Sequence, residues 1–558
     1  MFFLGLLLSF LLTDAQTATV PYVIKKSIEF ESPGGHTALC PLGYGSEGII
    51  QVNSRGIDNF SFQKFSLDLA MEKEKTVSTK GKIEKHCSYD RIARTNNKTY
   101  LFVRNTKKEK GGEGIDALEF FPDQLDFAEK PVSLFETTGN VKLPVYINLG
   151  ATAIEDVNNP KRYSFILSAD KTKFMYTYTL ASRERRDDFN KDIIGIYVFD
   201  ETLNRLWGRE YEMPYTETMM DNLGYTLAND GKVYMLIKVF GNKDRIASIK
   251  KQGANYHYEV LVYQKDNPTA KGIEIKLDNY FSQEAYIYED LNQNIVIGGF
   301  YSKAEGSRID GAYMVKLEVD KQAISRLNGG TYEIPAEVIK SYLSDWEKRK
   351  LDKREKRGED IGIYDLKIRN IATTPNGSIK IVAEQYQVSQ YYDYTRYPGY
   401  SYNYGAVYYV PRVMNSRTIY NTKADDIFVF SISSKGVLEW VRKIPKAQHG
   451  NDATAEGLSL ASSFTGNDVN LFYLDNIKND KLPVDQSPHT LEENSGGYLT
   501  GVQIDMMGKV SKYNLGDSKN YKPHFYIRYF VDGGNNNLIR TERKQKRNCL
   551  FSVEVKQQ

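Results

Sequence analysis

Two distant stretches of this chain follow one plan. Ile196–Tyr215 reads IYVFDETLNRLWGREYEMPY, and Ile427–Pro445 reads IFVFSISSKGVLEWVRKIP. Each is an alternating apolar strand, a polar turn, and a second strand carrying a tryptophan, Trp207 or Trp440. Looser copies occur at Tyr313–Leu327 and Tyr498–Leu515. Alternation with period two is the signature of a half-buried strand. Its return along the chain means repeated units, each packed on its neighbours. A chain of 558 residues is too long for one ordinary compact core, but an array escapes that limit.

Eight windows fit such an array: Gly35–Lys80, Lys82–Thr137, Val145–Tyr215, Asn222–Leu277, Phe281–Pro335, Ile361–Pro445, Gly457–Gly516 and His524–Val555. The turns between runs are those of hairpins. LANDGKVYML, TTPNGSIKIV and FVDGGNNNLI place Asp-Gly or Asn-Gly between alternating apolar runs, and Gly and Asn accept the positive φ of tight turns. Val, Ile, Thr, Tyr and Phe fill the flanks. The expectation is an all-β fold, a β-propeller of about eight four-stranded blades, or seven if window one or two is irregular. The eighth window holds only three strands. A ring that does not close leaves sheet edges exposed, so Val20–Phe30, VPYVIKKSIEF, is expected to supply the outer strand of the last blade.

The leader MFFLGLLLSFLLTDAQTA has an apolar run from Phe2 to Leu12 with no Lys or Arg before it. That run is too short to span a bilayer and reads as a signal peptide over residues 1–18, cleaved near Ala15 or Ala18. A single propeller domain over 19–558 follows, expected in the periplasm or at the cell surface. Lys plus Arg is 74 and Asp plus Glu 71. This balance gives no reason to expect nucleic acid. Cys40, Cys87 and Cys549 are odd in number and widely spaced, which points to buried free thiols rather than a disulfide or metal motif.

Two insertions interrupt the repeat. In Pro335–Asp360, Val338, Ile339, Tyr342, Leu343 and Trp346 recur at helical spacing. This predicts a helix docked by one apolar stripe, with partner binding as the other reading of the segment. The second insertion, Gln385–Arg412, is packed with tyrosine: Tyr391, Tyr392, Tyr394, Tyr397, Tyr400, Tyr402 and Tyr404. It is expected either to be a long hairpin covering neighbouring loops or to bind a glycan or peptide, since a tyrosine offers both an apolar face and a hydroxyl. These tyrosines and Trp346 are the candidate binding residues. In a four-stranded blade, the connection between strands two and three emerges on the same face as the link to the next blade. Both insertions, and a smaller one at Gly241–Tyr256, are therefore expected on one face.

The units VFDETLNRLWGREYEMPY and FSFQKFSLDLAMEKEKTVS, with a leader ending in AQ, resemble secreted β-propeller proteins of Bacteroidota. The resemblance spans nearly the whole mature chain. It implies the fold and brings no catalytic residues with it.

A search for chemistry finds little. The chain has no HExxH, no GxxxxGK[ST] and no GxSxG. His36, His86, His257, His449, His489 and His524 are scattered, with no metal-ligand spacing. Gly43, Gly45 and Gly48 spell GxGxxG, but Ile49-Ile50-Gln51-Val52 follows at once, so a turn between strands is expected rather than a dinucleotide site. Asp290, Asn292 and Asn294 form the D-x-N-x-N that can begin a calcium loop, without its glycine or distal Glu. A hairpin turn is the plainer reading. No cofactor is called for. The expected function is a non-catalytic binding scaffold that engages a protein or envelope component through its loop-rich face. The alternative is a carbohydrate-binding or glycoside-hydrolysing propeller that uses the Tyr-rich loop.

Overall fold

The computed structural model describes residues 20–556 apart from 107–111, 143–161, 182–189, 244, 246–247, 250–252, 268, 276, 278–279, 307, 322, 327–329, 360, 404–405, 452–457, 493–496, 522–529, 535 and 545–546, with residues 390–420 described as backbone alone. The signal-peptide reading of 1–18 falls outside them.

Eight antiparallel sheets follow one another along the chain, and together they make an eight-bladed β-propeller. Blade one runs from Thr37 to Ser78, blade two from Cys87 to Glu136, blade three from Ser164 to Glu212 and blade four from Met220 to Ile275. Blade five spans Phe281 to Glu333, blade six Leu366 to Ile444 and blade seven Leu460 to Asp517. Blade eight takes three strands from Val531 to Val555 and its fourth from the other end of the chain. Tyr22–Lys26 pairs antiparallel with Phe551–Val555, in the register Tyr22↔Val555 and Lys26↔Phe551. Phe30 and Glu31 extend the pairing to Asn548 and Arg547. The N-terminal strand therefore closes the ring, as the three-stranded last window required.

Alternation along each strand puts one set of side chains toward the preceding blade and the other toward the next. The buried apolar residues accordingly fall into eight clusters, one at each junction between neighbouring blades. Tyrosine belongs to this core as much as to any surface: Tyr100, Tyr163, Tyr176, Tyr263, Tyr313 and Tyr473 are fully buried. The two tryptophans of the repeat act as ties. Trp207 Nε1 donates to Gly231 O of blade four at 2.9 Å, and Trp440 Nε1 to Met506 O of blade seven at 3.1 Å.

The inner strands of blades one, two, four, five, six and eight each carry a register shift, as between Ser282 and Glu284. Bulges there add twist where strands converge on the axis. Gly45–Glu47 forms a short 3-10 turn, so the GxGxxG run is a turn between strands. Its outer glycines are needed for space. A Cβ on Gly43 would lie 2.2 Å from Gly533 O of blade eight, and Gly48, at φ +97, would put one 2.1 Å from Phe65 O.

Two expectations need correction. The insertion after Pro335 is not one helix. It forms α1, Ala336–Lys340, and α2, Asp345–Lys356, because Tyr342 sits at φ +54 and turns the chain between them. Ser344 caps α2 through a reciprocal pair with Glu347. Ile339 is buried and Leu351 of α2 packs against the same core, but Trp346 is 66% exposed, because the turn carries it off the docked stripe. The thiols also differ from one another. Cys87 and Cys549 are buried, while Cys40 is half-buried, because it lies on the inner strand of blade one.

Candidate functional site

Within each blade, connections between strands one and two and between three and four share one face. Connections between strands two and three, and the links between blades, share the other. The second face carries the insertions, and contacts over blades five to seven join them.

The largest feature is an arm. The second and third strands of blade six do not stop at the sheet but run on as Ile379–Asn403 and Ala406–Ile432, paired from Ile379↔Ile432 out to Asn403↔Ala406. The register shifts between Glu384 and Tyr386, where the ribbon leaves the blade, and again between Thr395 and Arg396. Beyond Gln385 the ribbon extends about 60 Å at roughly 3.3 Å per residue. Tyr391, Tyr392, Tyr394, Tyr397, Tyr400 and Tyr402 lie on its outgoing strand. Their side chains, and Tyr404 entirely, lie outside the described residues. The insertion is therefore a long hairpin that continues the blade, and the expected covering of neighbouring loops by its rings lies outside the described residues.

The arm is held at its root. Gln448–Asn451 adds a third strand along Asn421–Ala424, and Leu491–Glu492 pairs with Gln448 and His449. Beneath this sheet lies a buried ion cluster. Glu384, with its side chain fully enclosed, accepts from Arg369 Nε and Ser459 Oγ at 2.7 Å, and the charges of Arg369 Nη2 and Lys446 Nζ also lie 2.7 Å away. Lys446 Nζ also donates to Ala424 O and, at 3.1 Å, to Gln448 Oε1. Burial pushes the Glu384 carboxyl up, but Lys446 and Arg369 outweigh it and hold the group below its usual range, ionised. The cluster fastens the inner strand, the arm root and the link to blade seven to one carboxylate. Alternation could have flagged Glu384, a lone acid in the apolar strand IKIVAEQ. The positions of Arg369 and Lys446 could not be read that way.

The helical insertion is tied to the same region. Lys443 Nζ bridges Asp426 at 2.9 Å and Ser341 O at 2.9 Å. Tyr342 N donates to Val484 O at 2.7 Å, and Ser487 Oγ to Glu347 at 2.6 Å, which joins α1 and α2 to the long loop of blade seven. Arg308–Ile309 of blade five pairs with Ile363–Tyr364 just before the arm. Arm, helices and loops thus form one connected surface. Gly241–Tyr256 emerges on the same face by its place in blade four.

Asp290, Asn292 and Asn294 stand on the opposite face, in the first hairpin of blade five. Asp290 accepts from Asn292 N and Asn294 N at 2.8 Å and from Asn294 Nδ2 at 2.9 Å, with Lys316 Nζ 3.9 Å away. Asp200 and Asp505 close their turns in the same way. The motif is turn chemistry. Among the described residues no group of His, Cys, Asp and Glu is placed to hold a metal ion.

One carboxylate on the arm-bearing face is strained electrostatically. Asp192 precedes the third strand of blade three, 3.7 Å from Lys142, whose Nζ lies 3.1 Å from Glu217. Burial pushes Asp192 up to about 6; Lys142 opposes the shift and Glu217 adds to it. An unfolded Asp ionises near pH 4, so folding loses stability as pH rises from about 4 to 6, and the deficit persists above. Asp192→Asn should melt with wild type at pH 4 and be more stable at pH 8, by on the order of 2–3 kcal/mol. Thermal melts across that range check it, and equal shifts at both pH values would refute it.

No family model matches the chain, and no curated protein is similar to it. Solved structures with a similar course are distant. The polysaccharide lyase Uly1 is 9% identical with a TM-score of 0.35, over 84% of this chain and 90% of the lyase. The WD40 domain of SCAP from fission yeast is 7% identical with a TM-score of 0.34, over 96% and 95%. A protein of unknown function from Dyadobacter fermentans is 9% identical with a TM-score of 0.28, over 71% and 94%. Likeness at this level carries no inference about activity or ligand. Among the described residues, no helix is long and apolar enough to cross a membrane.

Proposed function

We propose that this chain is a non-catalytic, secreted binding scaffold that holds a protein or envelope component against its arm-bearing face. The observation that carries the reading is the arm itself. A two-stranded ribbon has no core of its own and is marginal in water. This one continues far beyond blade six and is rooted in a buried ion cluster. Such an element offsets its ordering cost when a partner covers it. Loops on a rigid scaffold are also where binding is commonly placed.

The test is to delete Ser389–Asn421 and close the ribbon with Asn-Gly between Val388 and Thr422, which face each other in the ladder. The blades should be unaffected, with a melting temperature within about 2 °C of wild type. Partners captured by the intact protein from its native envelope, read by mass spectrometry, should be lost. A shortened protein that keeps every partner would overturn the proposal. If no protein is captured but glycan-array binding disappears on shortening, the partner is a glycan instead.

A further inference from the structure

Sequence shows the segment around α2 as a mixture of both charge signs. The fold sorts them. With about 100° between successive residues, Trp346, Arg349, Lys350, Lys353 and Arg357 share one stripe of the helix, and Lys356 borders it. Trp346, Arg349, Lys350, Lys353, Lys356 and Arg357 are all exposed. The carboxylates are drawn elsewhere. Asp352 and Glu355 hold Lys340 at 2.8 and 2.7 Å, Glu347 takes the hydroxyls of Ser344 and Ser487, and Glu359 pairs with Arg354 at 3.1 Å. Asp345 is left about a quarter-turn from Trp346. Among the described residues, Arg349, Lys350, Lys353 and Lys356 have no ion-pair partner within 4 Å. The outer face of α2 is therefore a band of cations with an indole at one end.

A second apolar tip belongs to the loop that meets the corner before α2. Val484, 60% exposed, lies in the loop whose carbonyl holds Tyr342 N at the α1–α2 corner. Trp346, with Lys350 Nζ 5.4 Å from its ring centroid, is the one tryptophan of the three that stands in solvent.

We propose that this face of α2 docks on an anionic lipid surface, with Trp346 and Val484 entering the headgroup layer and the cations lying over the lipid phosphates. The inference names the envelope component for part of the arm-bearing face and rests on the scaffold reading of that face. Three features favour lipid over an acidic protein. The apolar side chains are projecting tips rather than the floor of a groove. An indole beside long cationic side chains matches the order of an interface, apolar below and charged above. Four of the cations have no carboxylate partner, Arg349 Nε donating only to the Asp345 carbonyl at 3.1 Å, which suits many equivalent phosphates better than one fixed carboxylate pattern.

The test uses the full chain with its arm and vesicles of phosphatidylglycerol in phosphatidylcholine. Wild type should co-sediment with anionic vesicles and not with pure phosphatidylcholine, its tryptophan emission should move to the blue, and added salt should release it. Each cation near such a surface strengthens partitioning about five-fold. Arg349→Gln, Lys350→Gln, Lys353→Gln and Lys356→Gln together should therefore weaken it by several hundred-fold, with no change in melting temperature. Trp346→Phe should keep most of the binding and lose the spectral shift, and Trp346→Ala should weaken binding about ten-fold. The arm-shortened protein should still bind vesicles, so failure of the scaffold reading and failure of this one are separable. No binding to anionic vesicles, or equal binding by the fourfold variant, overturns the proposal. Capture of a poly-glutamate peptide in place of vesicles also overturns it, in favour of an acidic protein partner.

Discussion

Replacing Glu384 by alanine is expected to destabilise the protein by about 3–5 kcal/mol. The loss would come less from the attraction removed than from what remains. Lys446 is fully enclosed and Arg369 nearly so, and both would lose the carboxylate that lies 2.7 Å from each, with only the more distant Asp425 left to oppose the charge of Lys446. Burial already pulls the ammonium of Lys446 below the usual lysine range. Glu384→Gln keeps the shape and isolates the charge. Because the carboxyl is held below its usual range, its contribution is present above the unfolded value, near pH 4, and is lost as pH falls through the folded value. The gap between wild type and Glu384→Gln in urea denaturation should therefore be largest at neutral pH and shrink in acid. A gap independent of pH would show that Glu384 acts by packing alone. Glu384→Ala should also loosen the arm root, since Ser459 and Lys446 lose the carboxylate they share, and amides of Asn421–Ala424 should exchange faster with solvent.

Removing Val20–Glu31 should have an effect at least as large. The segment gives blade eight its outer strand, and the partners it joins are more than 500 residues apart in the chain. Tyr22 is buried between Phe472 and Tyr513, with ring centroids 4.9 and 5.6 Å away, and its hydroxyl donates to Asn470 Oδ1 at 3.0 Å. Phe30 packs 4.9 Å from Phe65 of blade one. Without the segment, the outer edge of Arg547–Val555 is unpaired and the junctions of blade eight with blades seven and one lose their wedges. An open edge pairs with other chains, so the shortened protein should lose its single cooperative melt and associate on gel filtration. The peptide VPYVIKKSIEFE, supplied in trans, should restore part of both. Tyr22→Ala alone should cost about 3–5 kcal/mol. A shortened chain that melts with wild type would show that closure does not depend on this strand.

The blades were legible because their signals are local. Alternation, β-branched and aromatic strands and Asp-Gly turns each act within a few residues, so the windows placed around Ile196–Tyr215 and Ile427–Pro445 correspond to real hairpins. Even the closing strand followed from a count, since a three-stranded last blade must borrow a fourth. The helical insertion was half legible: apolar spacing announced a helix, but the positive φ at Tyr342 depends on the loop of blade seven that receives its amide.

The repeat, a ring of eight or seven blades, the turn chemistry of Asp290–Asn294 and the shared face of the insertions could all be read along the chain, because they depend on near neighbours and strand order. That Glu384, Arg369 and Lys446 meet, that the arm continues blade six, and that the charges of α2 part by sign follow from the folded ring alone. Those outcomes depend on which groups are removed from water together, and that is settled by residues far apart in the chain once the ring has closed.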